Sequence, residues 1–456
     1  MGDSANKRNL TRLAACALWI VAWQAASLLM GSAILLASPL DTLKALGTIV
    51  VQDRFLPIIW FSFSHVASGF VSAFVLGVVL GFVAARHPVV RELLAPVVLA
   101  FKSIPVACIV VLLLIWVGSR DVSRIAVFLM AFPALYLSTV EGLGQVDVKV
   151  GEMLSVFGVS PARRLLAHVW PSLLPYLMAT SRNACGMAWK AGVAAELIGS
   201  PLGSIGERIY QSKILLETAD LFAWTVIVVA VSYACEWAFL WLLQMTGPLS
   251  LQLSVPRGGG AVQPSAPAGI SLEDAAIGHA GVPVGQGVTL SLAAGGPGIL
   301  PDASGAGKTT LLHTILGLLP VIGGRLDAPR DLSMVFQETR LIEDLTAEQN
   351  VLLAGAGGRT VGQVAELLGE LLPTDALSRP VRELSGGQRR RVEIARAVAH
   401  PSAAILLDEP FSSLDDEAHR AAAQFVLDHL EGRTLLVASH ASEDEELLSA
   451  RHLSLS

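Results

Sequence analysis

The residues best equipped for chemistry lie in one short stretch, Asp302-Ala-Ser-Gly-Ala-Gly-Lys-Thr-Thr310. Gly305 and Gly307 let consecutive backbone N–H groups close around phosphate oxygens. Lys308 can reach the β- and γ-phosphates, and the Thr309 hydroxyl can hold Mg2+. The candidate nucleotide contacts are therefore Asp302, Ser304, Gly305, Ala306, Gly307, Lys308, Thr309 and Thr310. The apolar run Thr310–Leu319 reads as a helix, whose positive N-terminal end would face the same anion. Asp302 is a departure, because the pattern opens with glycine. Aspartate tolerates unusual backbone angles better than most residues, but a carboxylate beside a polyanion points to weakened nucleotide affinity. Taken alone, the stretch favours a nucleotide site over a glycine-rich structural turn.

It does not stand alone. Ser333-Met-Val-Phe-Gln337 is an apolar strand ending in an amide, and Leu384-Ser-Gly-Gly-Gln388 opens a basic helix, Arg389–Val398. Ala403–Glu409 is a buried-strand run ending in two carboxylates, Asp408 and Glu409. Ser412-Ser-Leu-Asp415 follows, and Leu435–His440 is another strand, ending in a histidine. A carboxylate at a strand end can hold Mg2+, often through water. A second one beside it can orient and deprotonate an attacking water. An imidazole can hydrogen-bond a γ-phosphate oxygen, and Ser-Gly-Gly before a helix exposes N–H groups to another phosphate. A lone strand-end His or Asp is more often a satisfied cap. Five such groups in order, after a phosphate loop, leave that explanation little room.

The surrounding elements must position these groups. Residues 270–456 alternate apolar runs with helical patterns, as an α/β domain with a largely parallel sheet does. Within it, Gly296-Pro-Gly-Ile-Leu-Pro301, the stretch before the loop, is poor in strand formers. The rest is different in kind. Hydrophobic residues make up 53% of the 456-residue chain and charged residues only 15%, and mean hydropathy is +0.59, too apolar for a wholly soluble protein. Residues 1–269 carry a formal charge of +5 and residues 270–456 one of −11, which argues for a membrane part and a cytosolic part and against a nucleic-acid binder. The four cysteines lack metal-ligand spacing and read as buried small apolar side chains.

Six apolar segments long enough to cross a bilayer are expected: Leu13 to about Ala37, then about Ile58–Ala84, Leu93–Val117, Ile125–Gly142, Leu173–Gly199 and Leu221–Leu243. The first is too long for the core of a cleaved signal peptide and reads as a retained helix. With the N-terminus inside, Lys7, Arg8, Arg12, Arg86, Arg91, Lys149, Arg163, Arg164 and Arg257 are cytoplasmic, against Lys44, Arg54, Arg120, Arg124, Arg208 and Lys213 outside. An even number of crossings independently returns the phosphate-binding half to the cytosol. Lys102, Arg182, Lys190, Glu196 and Glu236 fall inside the spans. They read either as a polar path whose cations suit an anionic solute, or as internal pairs such as Arg182 with Glu196. Residues 248–269, rich in Pro, Gly and other small residues, read as a flexible linker between a membrane domain, 1–247, and the 270–456 domain. There is no internal repeat.

Between the fourth and fifth spans, Gly151–Pro171 reads as an amphipathic segment broken at Gly158, with Pro161 starting a short helix. Glu152, then Gly158, then Pro171 resembles the cytoplasmic loop by which ABC importer permeases dock on their ATPases, although Met153 and Leu154 stand where the family has two alanines. With Phe101-Lys-Ser-Ile-Pro105 and Ala194-Ala-Glu-Leu-Ile-Gly199, the segment Trp60–Leu243 resembles permeases of the nitrate/sulfonate/taurine import group. The C-terminal half resembles the ABC transporter ATPase domain. That resemblance implies ATP and Mg2+ as ligands, with Lys308 and Thr309 on phosphates and metal, Gln337 sensing the metal and the water, and Asp408 supporting the metal. Glu409 would be the general base and His440 the γ-phosphate switch. Ser385, Gly386, Gly387 and Gln388 would contact the nucleotide of a second copy. The family stacks an aromatic on adenine, and His279 is the nearest candidate here.

The expected protein is thus multi-domain: an all-α six-helix permease plus an α/β P-loop ATPase, working as a homodimer. It would sit in a bacterial-type inner membrane with N-terminus and ATPase cytoplasmic. A separate periplasmic or lipid-anchored solute-binding protein would deliver the solute. An ABC exporter and a membrane-anchored, weakly hydrolysing ATP sensor are the alternatives. The short Gly151–Pro171 loop argues against the exporter, whereas Asp302 and the missing aromatic motivate the sensor.

Overall fold

The structure is a computed structural model describing residues 2–258, 265–279, 281–300, 307–441 and 443–453, with the side chains of 2–9 and 12 excepted. Asp302, Ser304, Gly305 and Ala306 lie outside the described residues, as do part of the linker and the side chains of Lys7, Arg8 and Arg12. The chain divides into two compact units. The first comprises Met1–Gln145 with Ser172–Thr246, the second Val146–Pro171 with Gly247–Ser456.

The first unit is helical. Among the described residues four helices are long and apolar enough to cross a membrane: Leu13–Met30, Phe55–Arg86, Val106–Gly144 and Thr218–Ser254. The expected fifth span corresponds to a continuous helix, Trp170–Gly199, which is not among those four. The expected third span, Leu93–Val117, is broken in two. Pro88–Ser103 is one helix, and the next starts at Val106. Ile104 precedes a proline, whose ring excludes it from helical angles, and it is extended at φ −74, ψ 126. The expected third and fourth spans then meet inside Val106–Gly144, at a kink where Gly118 adopts φ 77, ψ −180, a geometry that a β-carbon would oppose.

Phe55–Arg86 packs closely on Val106–Gly144 along a stripe of glycines. A β-carbon on Gly69 would lie 2.3 Å from the Arg124 carbonyl oxygen, and one on Gly81 2.6 Å from Thr139 Cβ. Close backbone approach through small residues is how helices gain packing energy where lipid removes the hydrophobic drive.

Arg182 pairs with Glu236 at 3.8 Å, not with Glu196. Residues 182 and 196 are fourteen apart on one helix, about 21 Å along its axis at 1.5 Å per residue, beyond the reach of two side chains. Glu196 is instead fully buried, accepting from Ser62 Oγ at 2.7 Å and Gly206 N at 3.2 Å. The cysteine expectation also needs correcting. Cys185 is buried and Cys235 half-buried, but Cys16 and Cys108 are exposed on apolar helices, whose outer faces suit lipid.

Among the described residues the second unit holds eight strands: β1 (Ile270–His279), β2 (Val282–Leu292), β3 (Pro297–Leu300), β4 (Gly323–Asp327), β5 (Leu332–Val335), β6 (Ala404–Asp408), β7 (Thr434–Ala438) and β8 (Arg451–His452). The parallel sheet runs β5-β6-β7-β3-β8, and an antiparallel sheet runs β2-β1-β4. The stretch before the phosphate loop is an interior strand, β3, despite its composition. Pro297 occupies the first position, where a missing N–H costs least. Residues 248–254, read above as linker, continue the helix Thr218–Ser254 through Pro248. Ser265–Gly269 is held to the unit: Ser265 N donates to Pro401 O at 3.3 Å, and Thr434 Oγ1 donates to Ala268 O at 2.7 Å.

Val146–Pro171 belongs to the same unit by its packing. Its helix Val148–Val156 buries Val150, Met153 and Leu154, which with Phe157 join a core containing Leu272, Leu311, Met334 and Phe336. Each such side chain contributes about 1.5–3 kcal/mol on full burial. Gly158, at φ 63, follows the helix, and Pro161 opens the next, as the sequence suggested.

Candidate functional site

Sheet order decides what can meet. In β5-β6-β7-β3-β8 the C-terminal ends of four adjacent parallel strands converge, and loops leaving those ends carry Gln337, Glu409, His440 and the phosphate loop. Ligands of open parallel sheets bind at such strand ends.

Gly307, at φ 78, delivers the chain into the helix Lys308–Ile315. Lys308 is buried. Its Nζ donates to Ser439 O at 3.4 Å, lies 3.2 Å from His440 Nδ1, and sits 4.0 Å from Glu409 Oε1. His440 Nε2 is 3.4 Å from the same Glu409 oxygen. Expected phosphate lysine, base and switch histidine are therefore within reach of one another, from segments that follow three different strands. The Thr309 hydroxyl is near enough to Asp408 to draw its carboxyl pKa down. Thr310 Oγ1 lies 3.4 Å from Nε2 of His279, which is exposed at the end of β1, so the candidate base-stacking residue borders the same helix.

Other expectations are placed apart. Gln337 is exposed at the bend after β5, and among the described residues no hydrogen bond or ion pair ties its side chain to Lys308, Glu409 or His440. Ser385 caps the helix Gly386–Ala399: its Oγ accepts from Gln388 N at 3.3 Å, and Gln388 Oε1 accepts from Ser385 N at 3.0 Å. Ser385 and Gly386 face solvent, and none of Ser385–Gln388 is bonded to the Lys308 cluster.

Oxygen chemistry at β6 suits a hard cation. Asp408 Oδ2 and Glu409 Oε1 are buried acceptors that receive no hydrogen bond. Burial pushes the Asp408 carboxyl above the usual aspartate range, with the Glu409 charge adding to the rise, while the Thr309 hydroxyl, Arg390 and Lys308 oppose it. Glu409 Oε1 faces the Lys308 and His440 charges, whereas the unpartnered Asp408 oxygen, with the Thr309 hydroxyl near its carboxyl, fits Mg2+, which takes water and phosphate oxygens as further ligands. Among the described residues no group of three His, Cys, Asp or Glu forms a denser metal site.

Two sets of residues were not legible. Arg340 donates to Glu152 Oε2 at 2.9 Å, and Lys149 pairs with Glu338, so the Val146–Pro171 segment is tied to the loop carrying Gln337. In the helix Gly386–Ala399, Arg390, Glu393 and Arg396 are buried and paired, Arg390 with Glu393 at 3.1 Å and Arg396 with Glu393 at 3.7 Å. The Arg-x-x-Glu-x-x-Arg spacing puts these three near one helical face. That was the available signal, passed over when the segment was read simply as a basic helix.

Two known families match separate stretches of the chain. Residues 77–244 match the family described as binding-protein-dependent transport system inner membrane component, and residues 286–412 match that described as ABC transporter. An uncharacterized ABC transporter ATP-binding protein, y4fO, of Sinorhizobium fredii is 34% identical over 40% of this chain and 58% of its own length. The sn-glycerol-3-phosphate import ATP-binding protein UgpC 3 of Rhizobium etli is 38% identical over 32% of this chain and 47% of its own. The aliphatic sulfonates import ATP-binding protein SsuB 3 of Nocardia farcinica is 38% identical over 41% of this chain and 77% of its own. The chain thus spans about half the length of the first two relatives.

Proposed function

Because the chain belongs to the ABC transporter family and joins a permease domain to an ATPase domain, we propose that it is an ATP-driven importer half that works as a homodimer. The observation that carries this reading is the convergence of Lys308, Glu409 and His440, with Glu409 Oε1 4.0 Å from the lysine and 3.4 Å from the histidine. ATP enters with its phosphates against Lys308 and the N-terminus of Lys308–Ile315. Glu409 accepts a proton from the water that attacks the γ-phosphorus, the bond to the β-phosphate oxygen breaks, and ADP and phosphate leave. His440 holds a γ-phosphate oxygen, and Gln337 swings onto the water. Thr309 and Asp408, with Gln337, would hold Mg2+, which would supply neutralisation of the developing phosphate charge. Asp302, Ser304, Gly305, Ala306, Gly307 and Thr310 cradle the phosphates, and His279 borders the base.

The Ser385–Gln388 segment, solvent-facing at Ser385 and Gly386, supplies the nucleotide contacts of a second copy, which is why a dimer is required. Import, with a separate solute-binding protein, follows the permease family's description and the relatives' names. A small anion such as a sulfonate is the favoured solute class, since Lys190 is an exposed cation in the first unit, whereas Arg182 is offset by Glu236. The membrane is a bacterial-type inner membrane with both the N-terminus and the ATPase on the cytosolic side.

The test compares hydrolysis by purified dimer with Glu409→Gln. Loss of the base should lower kcat by about 100-fold or more with ATP binding retained. Equal rates would eliminate the reading.

A further inference from the structure

Arg390 is a side chain with every donor used. It lies in the helix Gly386–Ala399 at 2% relative exposure. Nε donates to Pro410 O at 2.9 Å, and Nη2 donates to Asp408 O at 2.8 Å and Glu409 O at 2.6 Å. Nη1 donates to Phe336 O and, at 3.1 Å, to Glu393 Oε2. A guanidinium has five N–H donors in a rigid planar fork, and here they meet five acceptors.

Four of those acceptors are backbone carbonyls from two segments. Asp408, Glu409 and Pro410 form the turn that ends β6, and Phe336 immediately precedes Gln337. We propose that Arg390 is a positioning residue for ATP hydrolysis, locking the backbone that carries Glu409 and the backbone that delivers Gln337 into one frame. The inference rests on Glu409 being the base.

The need for such a lock is local. Glu409 has φ 47, a left-handed conformation that a residue with a β-carbon resists. Strain of that kind persists only where surrounding contacts over-determine it. Besides Arg390, the Glu409 peptide is held by its own N–H on Ala438 O at 2.9 Å and by Ser412 Oγ on its carbonyl at 3.1 Å. Glu393 makes the buried cation tenable and fixes its direction. Its other oxygen accepts from Arg340 N at 2.6 Å, and Arg396 Nη1 donates to Arg340 O at 2.6 Å, so the anchor is itself anchored. A guanidinium present only to fill the core would not spend four donors on the carbonyls of two site-bearing turns.

The experiment uses full-length dimer and four proteins: wild type, Arg390→Gln, Glu409→Gln and the double variant. Arg390→Gln should lower kcat by about tenfold or more while KM for ATP and the Kd of a non-hydrolysable analogue stay within about threefold, because misplacing a reacting group by about 1 Å can cost up to 100-fold. In the Glu409→Gln background the same substitution should cost nothing further. A purely structural role would instead lower nucleotide affinity together with kcat, or lower the rate equally in both backgrounds, and either result overturns the proposal. Should Arg390→Gln fail to fold, Arg390→Lys replaces it. Lysine keeps the charge opposite Glu393 but cannot span four carbonyls, so the same kcat-only loss is expected, and a wild-type kcat overturns the idea. If Glu409→Gln itself hydrolyses at the wild-type rate, the assignment of the base falls first. If that variant is dead and Arg390→Gln is fully active, only the positioning role falls.

Discussion

At the scale of single residues, position along a strand was easier to read than side-chain partnership. Asp408, Glu409 and His440 were legible because apolar runs ending in an ionisable group are strong local signals, and parallel pairing then brings those ends together. Arg390 and Glu393 were not legible, because burial of a charge depends on acceptors 18 to 54 residues away in the chain. Asp302 remains a residue-scale question that the sequence poses sharply. Replacing its carboxylate with hydrogen removes one like-charge contact with the nucleotide. In a high-dielectric site that is worth on the order of 1 kcal/mol, or about fivefold in affinity. Asp302→Gly should therefore tighten binding of a fluorescent ATP analogue by that factor, and an unchanged Kd would show that Asp302 does not face the phosphates.

At the scale of elements, a helix over Thr310–Leu319 was expected after the phosphate loop; the helix found, Lys308–Ile315, starts two residues earlier and ends four earlier, and its lining makes it pH-sensitive. Burial holds the imidazole of His313 below its ordinary range, and the nearby Arg340 charge pushes the same way. A depressed histidine pKa means the unfolded chain binds the proton more readily. Stability is therefore full above the ordinary value near 6.5 and declines as pH falls toward the depressed native value. Thermal melts of the full chain, followed by a probe in the ATPase half, should show a lower midpoint at pH 5.5 than at 7.5. In His313→Gln that difference should shrink; an identical pH response would assign the effect to other groups. The helix Gly386–Ala399 offers a second check. Its capping box satisfies two N-terminal donors, and Ser385→Ala should cost about 1 kcal/mol of stability, read as a shifted denaturation midpoint. Capping boxes are written in four consecutive residues, so this feature was readable in advance. The kink at Gly118 and the break at Ile104-Pro105 were readable only in part. Hydropathy averages over windows and cannot see where a chain turns, although Pro105 marked one of the two places.

At the scale of the whole molecule, the informative fact is that Val146–Pro171, inserted between membrane-type helices in sequence, packs with the C-terminal residues in space. Glu152 is held by Arg340, three residues beyond Gln337, so ATP-dependent movement of that loop has a direct handle on the connector. The tryptophans make this testable without knowing the solute. All nine lie at or before residue 241, and none lies in residues 270–456, so intrinsic tryptophan emission reports only on the helices of the first unit and on Trp170. In the Glu409→Gln background, where ATP is expected to remain unhydrolysed, adding Mg2+ and ATP to nanodisc-embedded dimer should change that emission. Glu152→Ala removes the handle but nothing from the nucleotide site, so the emission change should be largely lost while ATP affinity is kept. Glu152 is partly solvated, so its loss should not unfold the unit, and a retained melting midpoint would confirm that the connector is still docked by Val150, Met153 and Leu154. If the emission change survives Glu152→Ala at full size, movement reaches the membrane helices by packing alone, and the Glu152–Arg340 pair is a local staple with no part in transmission.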